Sequence, residues 1–200
     1  MAPRVSVVYY SATGNVHSLA QAVAEGEESA GADVRRRRVE ESAPKEAVNA
    51  NEAWKQYAEE VAPTVETASL DDLEWSDGFA LGAPTRYGSP ASQLRNFLDT
   101  TGGLWAAGKL DGKVGTSFTS ASTAHGGLES TILALNNTLY HWGSLILPLG
   151  YAADEHLMGF GNPYGASYVS NSSEEAHDVS IEAANIQGRR LAQFTAKIAA

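Results

Sequence analysis

The chain reads as an α/β protein: a five-stranded parallel sheet of order 2-1-3-4-5 with helices on both faces. Three observations predict it. Short apolar runs of strand length alternate with helical patterns from end to end, as in a parallel sheet covered on both sides. The first of these strands runs into a hydroxyl- and glycine-rich turn, Ser11-Ala12-Thr13-Gly14-Asn15, that opens a helix. With a ligand-binding turn in that place, the strand order that reverses beside strand one is the natural one. And 200 residues make one domain large enough to bury a real core.

Strand one is Val5-Ser6-Val7-Val8-Tyr9-Tyr10. After the turn, Val16, Leu19, Ala20 and Val23 repeat at helical spacing, and Gly26 or Gly31 is expected to end that helix. Residues 33–39 form the second strand. Its run Arg35-Arg36-Arg37-Arg38 reads as charge protecting a sheet edge, with attraction of a 2′-phosphate the lesser alternative. The third strand covers 78–83 and is stopped by Pro84; the helix after it carries Leu94, Phe97 and Leu98. The fourth strand runs over 114–119 and its helix over 128–142. Leu145-Ile146-Leu147 is the fifth strand, ended by Pro148, and a last helix from about Asp178 buries Ala184, Leu191 and Ile198.

Two stretches fall outside this scheme. Residues 41–75 are charged and contain an extra helix over 47–61. Residues 150–177 are rich in Gly, Tyr, Asn and Ser and too long for an idle connection. Neither looks like a second domain, so 1–200 reads as one domain with two insertions. Their aromatics, among them Trp54, Tyr57, Trp75, Tyr151, Phe160, Tyr164 and Tyr168, are the kind that an interface core uses.

Composition narrows the function. The chain carries 14 Lys+Arg against 24 Asp+Glu, a formal net charge of -10, which argues against nucleic acid as a partner. It has no cysteine, which excludes disulfides, iron–sulfur clusters and thiol chemistry. His17, His125, His141, His156 and His177 lie far apart without metal-ligand spacing, so no metal is expected. No apolar run approaches membrane-spanning length, and the N-terminus goes almost directly into a strand. No membrane association or signal peptide is expected, and a cytoplasmic protein is the default.

The turn after strand one has the makings of a phosphate site without lysine or arginine. Ser11 and Thr13 offer hydroxyls and Asn15 an amide. Gly14 lets the backbone close around a ligand, and the helix from Val16 begins with free N–H groups and the positive end of its dipole. The Gly-Lys-Ser/Thr of a triphosphate loop is absent, as is Gly-x-Gly-x-x-Gly. A single phosphomonoester, as in FMN, fits this donor set better than a triphosphate does. On these residues alone a plain polar turn is the alternative.

In an open parallel sheet the loops after strands one, three and four converge outside the carboxyl ends of the strands. After strand three, Thr85, Arg86 and Tyr87 present a hydroxyl, a fixed cation and an aromatic, a set that holds a flat, polar-edged ring. After strand four, Ser120, Ala121, Ser122 and Thr123 followed by Gly126 and Gly127 let backbone approach a planar ligand and its ribityl chain. His125 reads equally as a ring contact or a solvated residue. His141, beside Trp142, reads by its spacing as a core residue before a catalytic one.

With those loops in hand, the sequence resembles the WrbA family of flavodoxin-like NAD(P)H:quinone oxidoreductases. The stretches that carry the resemblance are Tyr9-Tyr10-Ser11 through Val16, Pro84-Thr85-Arg86-Tyr87-Gly88, Leu98-Asp99-Thr100-Thr101-Gly102-Gly103-Leu104-Trp105, His125-Gly126-Gly127, Tyr140-His141-Trp142-Gly143 and Asn162-Pro163-Tyr164-Gly165-Ala166. They run in order over nearly the whole chain. The resemblance implies a flavodoxin-like fold, FMN, two-electron transfer from NAD(P)H to quinones through one site used in turn, and a homotetramer, with a dimer as the smaller alternative. Carried over by position, it implies phosphate binding by Ser11, Ala12, Thr13, Gly14, Asn15 and Val16. Isoalloxazine contacts fall to Thr85, Arg86 and Tyr87, and ribityl or ring contacts to Ser120, Ala121, Ser122, Thr123 and Gly126.

His141 matches a family histidine beside the flavin and quinone pocket, which reverses the core reading and makes it the catalytic candidate, as hydrogen-bond or proton donor to the quinone. Trp105 matches an aromatic at the substrate mouth, shared between subunits. The chain departs from the family at Thr13, where many members carry a tyrosine or another large group linked to nicotinamide binding. The 41–75 stretch is also longer than in the shorter relatives, and the 120–127 loop has one residue more than some. A flavodoxin-type single-electron carrier is the rival reading, against which Trp105 and His141 count as pocket residues a carrier does not need. A non-enzymatic binding protein comes third.

Overall fold

In the computed structural model, which describes residues 1–151 and 157–199, strand β1 (Arg4–Tyr9) lies inside a parallel sheet and is buried on both faces. Its alternating side chains therefore feed two cores. Val5, Val7 and Tyr9 pack under α1 (Asn15–Ser29), whose Val16, Leu19, Ala20 and Val23 form the apolar stripe that the spacing predicts. Val8 points into the second core on the opposite face, with Tyr10 just beyond the strand.

After β2 (Asp33–Arg38) the chain makes α2 (Lys45–Asn49), α3 (Glu52–Gln56) and α4 (Leu70–Trp75). Then come β3 (Gly78–Arg86), β4 (Ser89–Pro90), α5 (Ser92–Asp99), α6 (Gly102–Ala106), β5 (Val114–Ala121) and α7 (Leu128–Trp142). The chain closes with β6 (Leu145–Ile146), α8 (Leu157–Phe160), β7 (Ser167–Val169) and α9 (Glu174–Ile198). The main path through the sheet is β2-β1-β3-β5-β6, which is the expected 2-1-3-4-5. Helices α1 and α9 cover one face; α5 and α7, with Leu94, Leu98, Leu135 and Leu139, cover the other.

Several boundaries differ from the sequence reading. Pro84 does not stop the third strand. It stays in register with Ser120 of β5, and the strand continues to Arg86 because β4 folds back on it as a short antiparallel hairpin. The fifth strand shrinks to two residues, and its place beside the upper half of β5 is taken by β7, which pairs with residues 119–121. With β4 and β7 the sheet has 7 strands. The expected helix over 47–61 is broken. Asn51 caps a fresh start at α3, accepting from Trp54 N at 3.0 Å, and a π-helical turn, Tyr57–Val61, follows. The last helix starts earlier than expected, at Glu174, capped by Ser173, and Ile198 near its end is exposed.

Gly26 ends nothing; it lies inside α1 where α1 meets α9. A Cβ there would stand 2.0 Å from the carbonyl oxygen of Asn185, and one on Gly188 would stand 1.9 Å from that of Val23. The two glycines let the helix backbones touch. Gly31, at φ 84, follows the end of α1, as the other alternative held.

The arginine run is an edge, as expected, but a covered and heavily paired one. Arg38 N donates to Glu66 O and Ala68 N to Arg38 O, so the 66–68 segment lies along β2. Arg35 contacts Asp71 and Asp72 and sits 4.1 Å over the Trp75 ring; Arg37 meets Glu66 and Asp72. The aromatics of 41–75 are thus largely spent inside the chain. Trp75 lies under Arg35, Tyr57 is buried, and Trp54 Nε1 donates to Glu41. In the second insertion Tyr151 and Tyr164 are exposed, while residues 152–156, with His156, lie outside the described residues.

Candidate active site

The carboxyl ends of β1, β3 and β5 open on a cavity of about 330 Å3. Most of the residues that the sequence singles out line it. Ser11, Ala12, Thr13, Asn15 and Val16 line it from the first turn, Thr85 and Arg86 from the end of β3, and Ser120, Ala121, Ser122, Thr123 and Gly126 from the end of β5 and the loop beyond it. Gly14 sits behind them as the residue before α1, at φ 95, a conformation that glycine adopts without strain.

The turn is organised for an anion. Ser18 N makes the first helical bond, to Gly14 O at 2.9 Å. The amides of Asn15, Val16 and His17 precede it and so have no partner within the helix. Gly14 N donates to Ser11 Oγ at 3.1 Å, and Asn15 Nδ2 to Thr13 Oγ1 at 3.3 Å, which fixes both hydroxyls. Hydroxyls, amides and a helix dipole suit one phosphomonoester, and the single cation in the wall among the described residues is Arg86, on the far loop. The donor set fits FMN.

The β3 loop is held from α7. Thr131 Oγ1 donates to Thr85 Oγ1 at 2.8 Å, and Ser130 Oγ donates to Gly88 O at 2.9 Å. Tyr87 and Gly88, at φ 52 and 77, form the two-residue hairpin turn between β3 and β4. Such turns need left-handed backbone at both positions and favour Asn, Asp or Gly. A tyrosine there is strained, and its ring projects fully into solvent, 106% exposed, instead of lining the cavity as Thr85 and Arg86 do. His125 is exposed on the loop before α7.

His141 and Trp105 lie together, as Trp105 Nε1 donates to His141 O at 2.8 Å. Both are exposed, Trp105 to 57%. His141 lies in the last turn of α7, with Trp105 of α6 bonded to it, about 20 Å down the α7 axis from the cavity that the helix N-terminus borders. Within one chain, neither lines the cavity.

Sequence reasoning missed two sets of residues. Ser170 lines the cavity, carried there by β7 and fixed by Ser170 N donating to Ala121 O at 2.8 Å. The alternation Ser167-Tyr168-Val169 before it is the only local sign of that strand. Behind the turn, Glu41 gathers four donors: Tyr10 Oη at 2.6 Å, Gln93 Nε2 at 2.7 Å, Trp54 Nε1 at 2.8 Å and Ala43 N at 2.8 Å. Burial pushes the Glu41 carboxyl up, but these donors outweigh it and hold it below the usual glutamate range. His17 is kept below the usual histidine range by burial and then by Arg36, so its ring is neutral at pH 7.

Comparison with known proteins agrees with this architecture. The model of a family described as NADPH-dependent FMN reductase matches residues 3–157. The chain is 44% identical over 203 aligned residues to an NAD(P)H dehydrogenase (quinone) of Sinorhizobium fredii, covering 98% of each chain. It is 40% identical to one of Deinococcus radiodurans, covering 98% of this chain and 96% of that one. Among solved structures, a flavodoxin, WrbA-like protein from Agrobacterium tumefaciens superposes with a TM-score of 0.68 at 23% identity over 98% of this chain and 99% of that one. An archaeal flavodoxin gives 0.62 at 18% identity over 96% and 99%; both likenesses speak to the fold. The chain belongs to the NADPH-dependent FMN reductase family, as a WrbA-type, flavodoxin-like member.

Proposed function

We propose that this chain reduces quinones to hydroquinones with NAD(P)H by a ping-pong route, the two substrates using one site in turn. The overall activity, FMN-dependent NAD(P)H:quinone oxidoreduction, is that of its family. The observation that carries the reading is the cavity at the ends of β1, β3 and β5, where a cation-free anion turn faces a slot walled by the Thr85 and Ser120 loops. FMN bound there supplies a ring that accepts a hydride and returns two electrons. The protein's work is to hold its phosphate at residues 11–16 and its ring edge at Thr85, Arg86 and residues 120–126.

The substrate side of the pocket is the less complete part of a single chain. We assign it to a second copy, in a homotetramer, D2 being the common closed arrangement for four identical chains. Trp105 of α6 and His141 of α7 are exposed side by side, too far from their own cavity to serve it, and Leu133 and Tyr140 are further exposed apolar residues of α7. Tyr87, next to Arg86 of the cavity wall, is fully exposed among the described residues. In this reading Trp105 of one protomer closes the substrate mouth of another. His141 donates a hydrogen bond or a proton to a quinone oxygen, where negative charge grows. No helix among the described residues is long and apolar enough to cross a membrane, and we place the enzyme in the cytoplasm.

The test is steady-state oxidation of NADH and of NADPH with benzoquinone, with and without added FMN, on the intact chain and on Trp105→Ala and His141→Ala. Both variants should keep their FMN and lose at least about tenfold in quinone turnover. Activity should also fall on dilution before the fold is lost. A fully active monomer at nanomolar concentration refutes the shared site. Flavin-loaded protein that passes electrons to proteins but not to benzoquinone restores the carrier reading.

A further inference from the structure

Strand β7 delivers to the cavity a hydroxyl that belongs neither to the first turn nor to the loops after β3 and β5. Its residues pair with the upper end of β5, Ser120 opposite Tyr168 and Ala121 opposite Val169. The pairing runs one step further, as Ser170 N donates to Ala121 O at 2.8 Å. Successive side chains of a strand point to opposite faces of the sheet. Tyr168 packs against the core under α1, the one that holds Val16, Leu19 and Phe118, so Ser170, two residues on, belongs to the α1 face as well. Ser167 and Val169, of the other parity, line a separate cavity.

What α1 presents there is its beginning. The helix starts at the carboxyl edge of the sheet and runs back down it, while β7 lies against the upper end of β5 alone. The part of α1 on which β7 packs is therefore its first turns, where the amides of Asn15, Val16 and His17 have no helical partner. Asn15, Val16 and Ser170 accordingly line one cavity.

The backbone that carries Ser170 is held from both ends. Gln187 of α9, 1% exposed, accepts from Ala166 N at 2.6 Å and donates to Thr116 Oγ1 at 2.6 Å and to Ser117 O at 2.9 Å, which pins the start of β7 to β5. Thr119 N donates to Ala166 O at 3.1 Å. Past the strand, Asn171 Nδ2 donates to Ser122 O at 3.4 Å. Ser170 itself is half-buried, and its hydroxyl donates to no group among the described residues. A free hydroxyl facing unpaired helix amides across a cavity suits an anion, which accepts from both.

We propose that Ser170 is a further phosphate ligand of the cofactor, its hydroxyl donating to an oxygen of the phosphate held at residues 11–16. This gives the 150–177 stretch a part in cofactor binding. It rests on residues 11–16 being the phosphate turn.

The test compares FMN with riboflavin, which has the same ring and ribityl chain and no phosphate, by quenching of flavin fluorescence on titration with the apoprotein. Ser170→Ala should weaken FMN about tenfold, as the loss of one hydrogen bond to an anion does, and leave riboflavin unchanged. Ser170→Thr keeps a hydroxyl on a residue that strands accept and should hold FMN within about threefold of the wild type. Ser170→Asp sets a carboxylate against the phosphate and should weaken FMN at least about thirtyfold, and riboflavin far less. Equal weakening of FMN and riboflavin by Ser170→Ala gives the hydroxyl to the ribityl chain or the ring and overturns the proposal; so does an FMN affinity that changes less than about twofold. Ser11→Ala separates the two levels. If it leaves the FMN-to-riboflavin ratio unchanged, the phosphate turn itself is misassigned and the role of Ser170 falls with it. If it lowers that ratio while Ser170→Ala and Ser170→Asp do not, only the Ser170 contact fails.

Discussion

Glu41→Gln is the sharpest test of how the first insertion is fastened to the core. The carboxylate accepts two donors on each oxygen: Tyr10 Oη and Trp54 Nε1 on Oε2, Ala43 N and Gln93 Nε2 on Oε1. Glutamine has the same shape but must present an NH2 group at one of the two places. Facing Oε2's partners, it meets the indole N–H, which only donates. Facing Oε1's, it meets the Ala43 amide, which also only donates. Either orientation leaves at least one partly buried donor unsatisfied, at a cost of about 1–3 kcal/mol. Taking about 2 kcal/mol, and about 2–4 °C per kcal/mol for a chain of this size, Tm at pH 7 should fall by about 4–8 °C. The pH dependence follows from the carboxyl being held below its usual range. The unfolded chain binds the proton more readily, so this contribution is present above the unfolded glutamate value and is lost as pH falls through the folded one. Urea denaturation at pH 7 and pH 4 should therefore show a gap between wild type and variant that narrows in acid. A variant within about 1 °C of wild type at pH 7, or a gap that widens at pH 4, refutes the account.

Three further outcomes are expected. Glu27 is fully buried in α1 with neither carboxyl oxygen partnered. Burial, and then Glu28, push its pKa well up, so the folded state binds the extra proton and loses stability as pH rises from the unfolded value upward; Glu27→Met should raise stability by about 1–3 kcal/mol at pH 8 and by little at pH 4, read from urea midpoints. Gly26→Ala should lower Tm by about 5 °C. Its Cβ meets the backbone oxygen of Asn185, which cannot give way, and overpacking of about 1–3 kcal/mol outweighs the better helix propensity. Thr13→Glu places a carboxylate in the wall of the phosphate turn and should weaken FMN at least about thirtyfold, and riboflavin far less, in a fluorescence titration.

What was legible in the sequence was what depends on neighbours along the chain. Strands buried on both faces read as unbroken apolar runs, and the turn 11–15 declared itself by hydroxyls and glycine ahead of a helical stripe. The cavity wall followed, because topology alone brings the ends of β1, β3 and β5 together. What was hidden depends on distant partners. Gly26 reads as a helix stop until Gly188 is known to face the same helix pair. Residues 167–169 are too few to outvote their glycine- and asparagine-rich surroundings, yet pairing with β5 makes them a strand and delivers Ser170. Nothing near Tyr57 or Glu41 hints that one packs against His17 and beside Gly14 and the other binds Tyr10 and Gln93. Tyr87 failed differently: residue type suggested a ring contact, whereas the hairpin geometry throws the side chain outward.

Helix α7 carries the consequence for assembly. At its N-terminus Ser130 and Thr131 hold the β3 loop against the cavity of its own chain. At its C-terminus it presents His141, tied to Trp105. A helix of 15 residues is a stiff strut of about 22 Å, so a fixed distance separates the two ends. In the tetramer proposed above, that strut spans from a protomer's own flavin wall to the substrate mouth of a neighbour. Any shift of the subunits then moves Trp105 relative to the neighbour's cavity while leaving each FMN phosphate turn intact. Loss of assembly should accordingly separate two properties that a self-contained site would lose together: flavin stays bound, and quinone reduction stops.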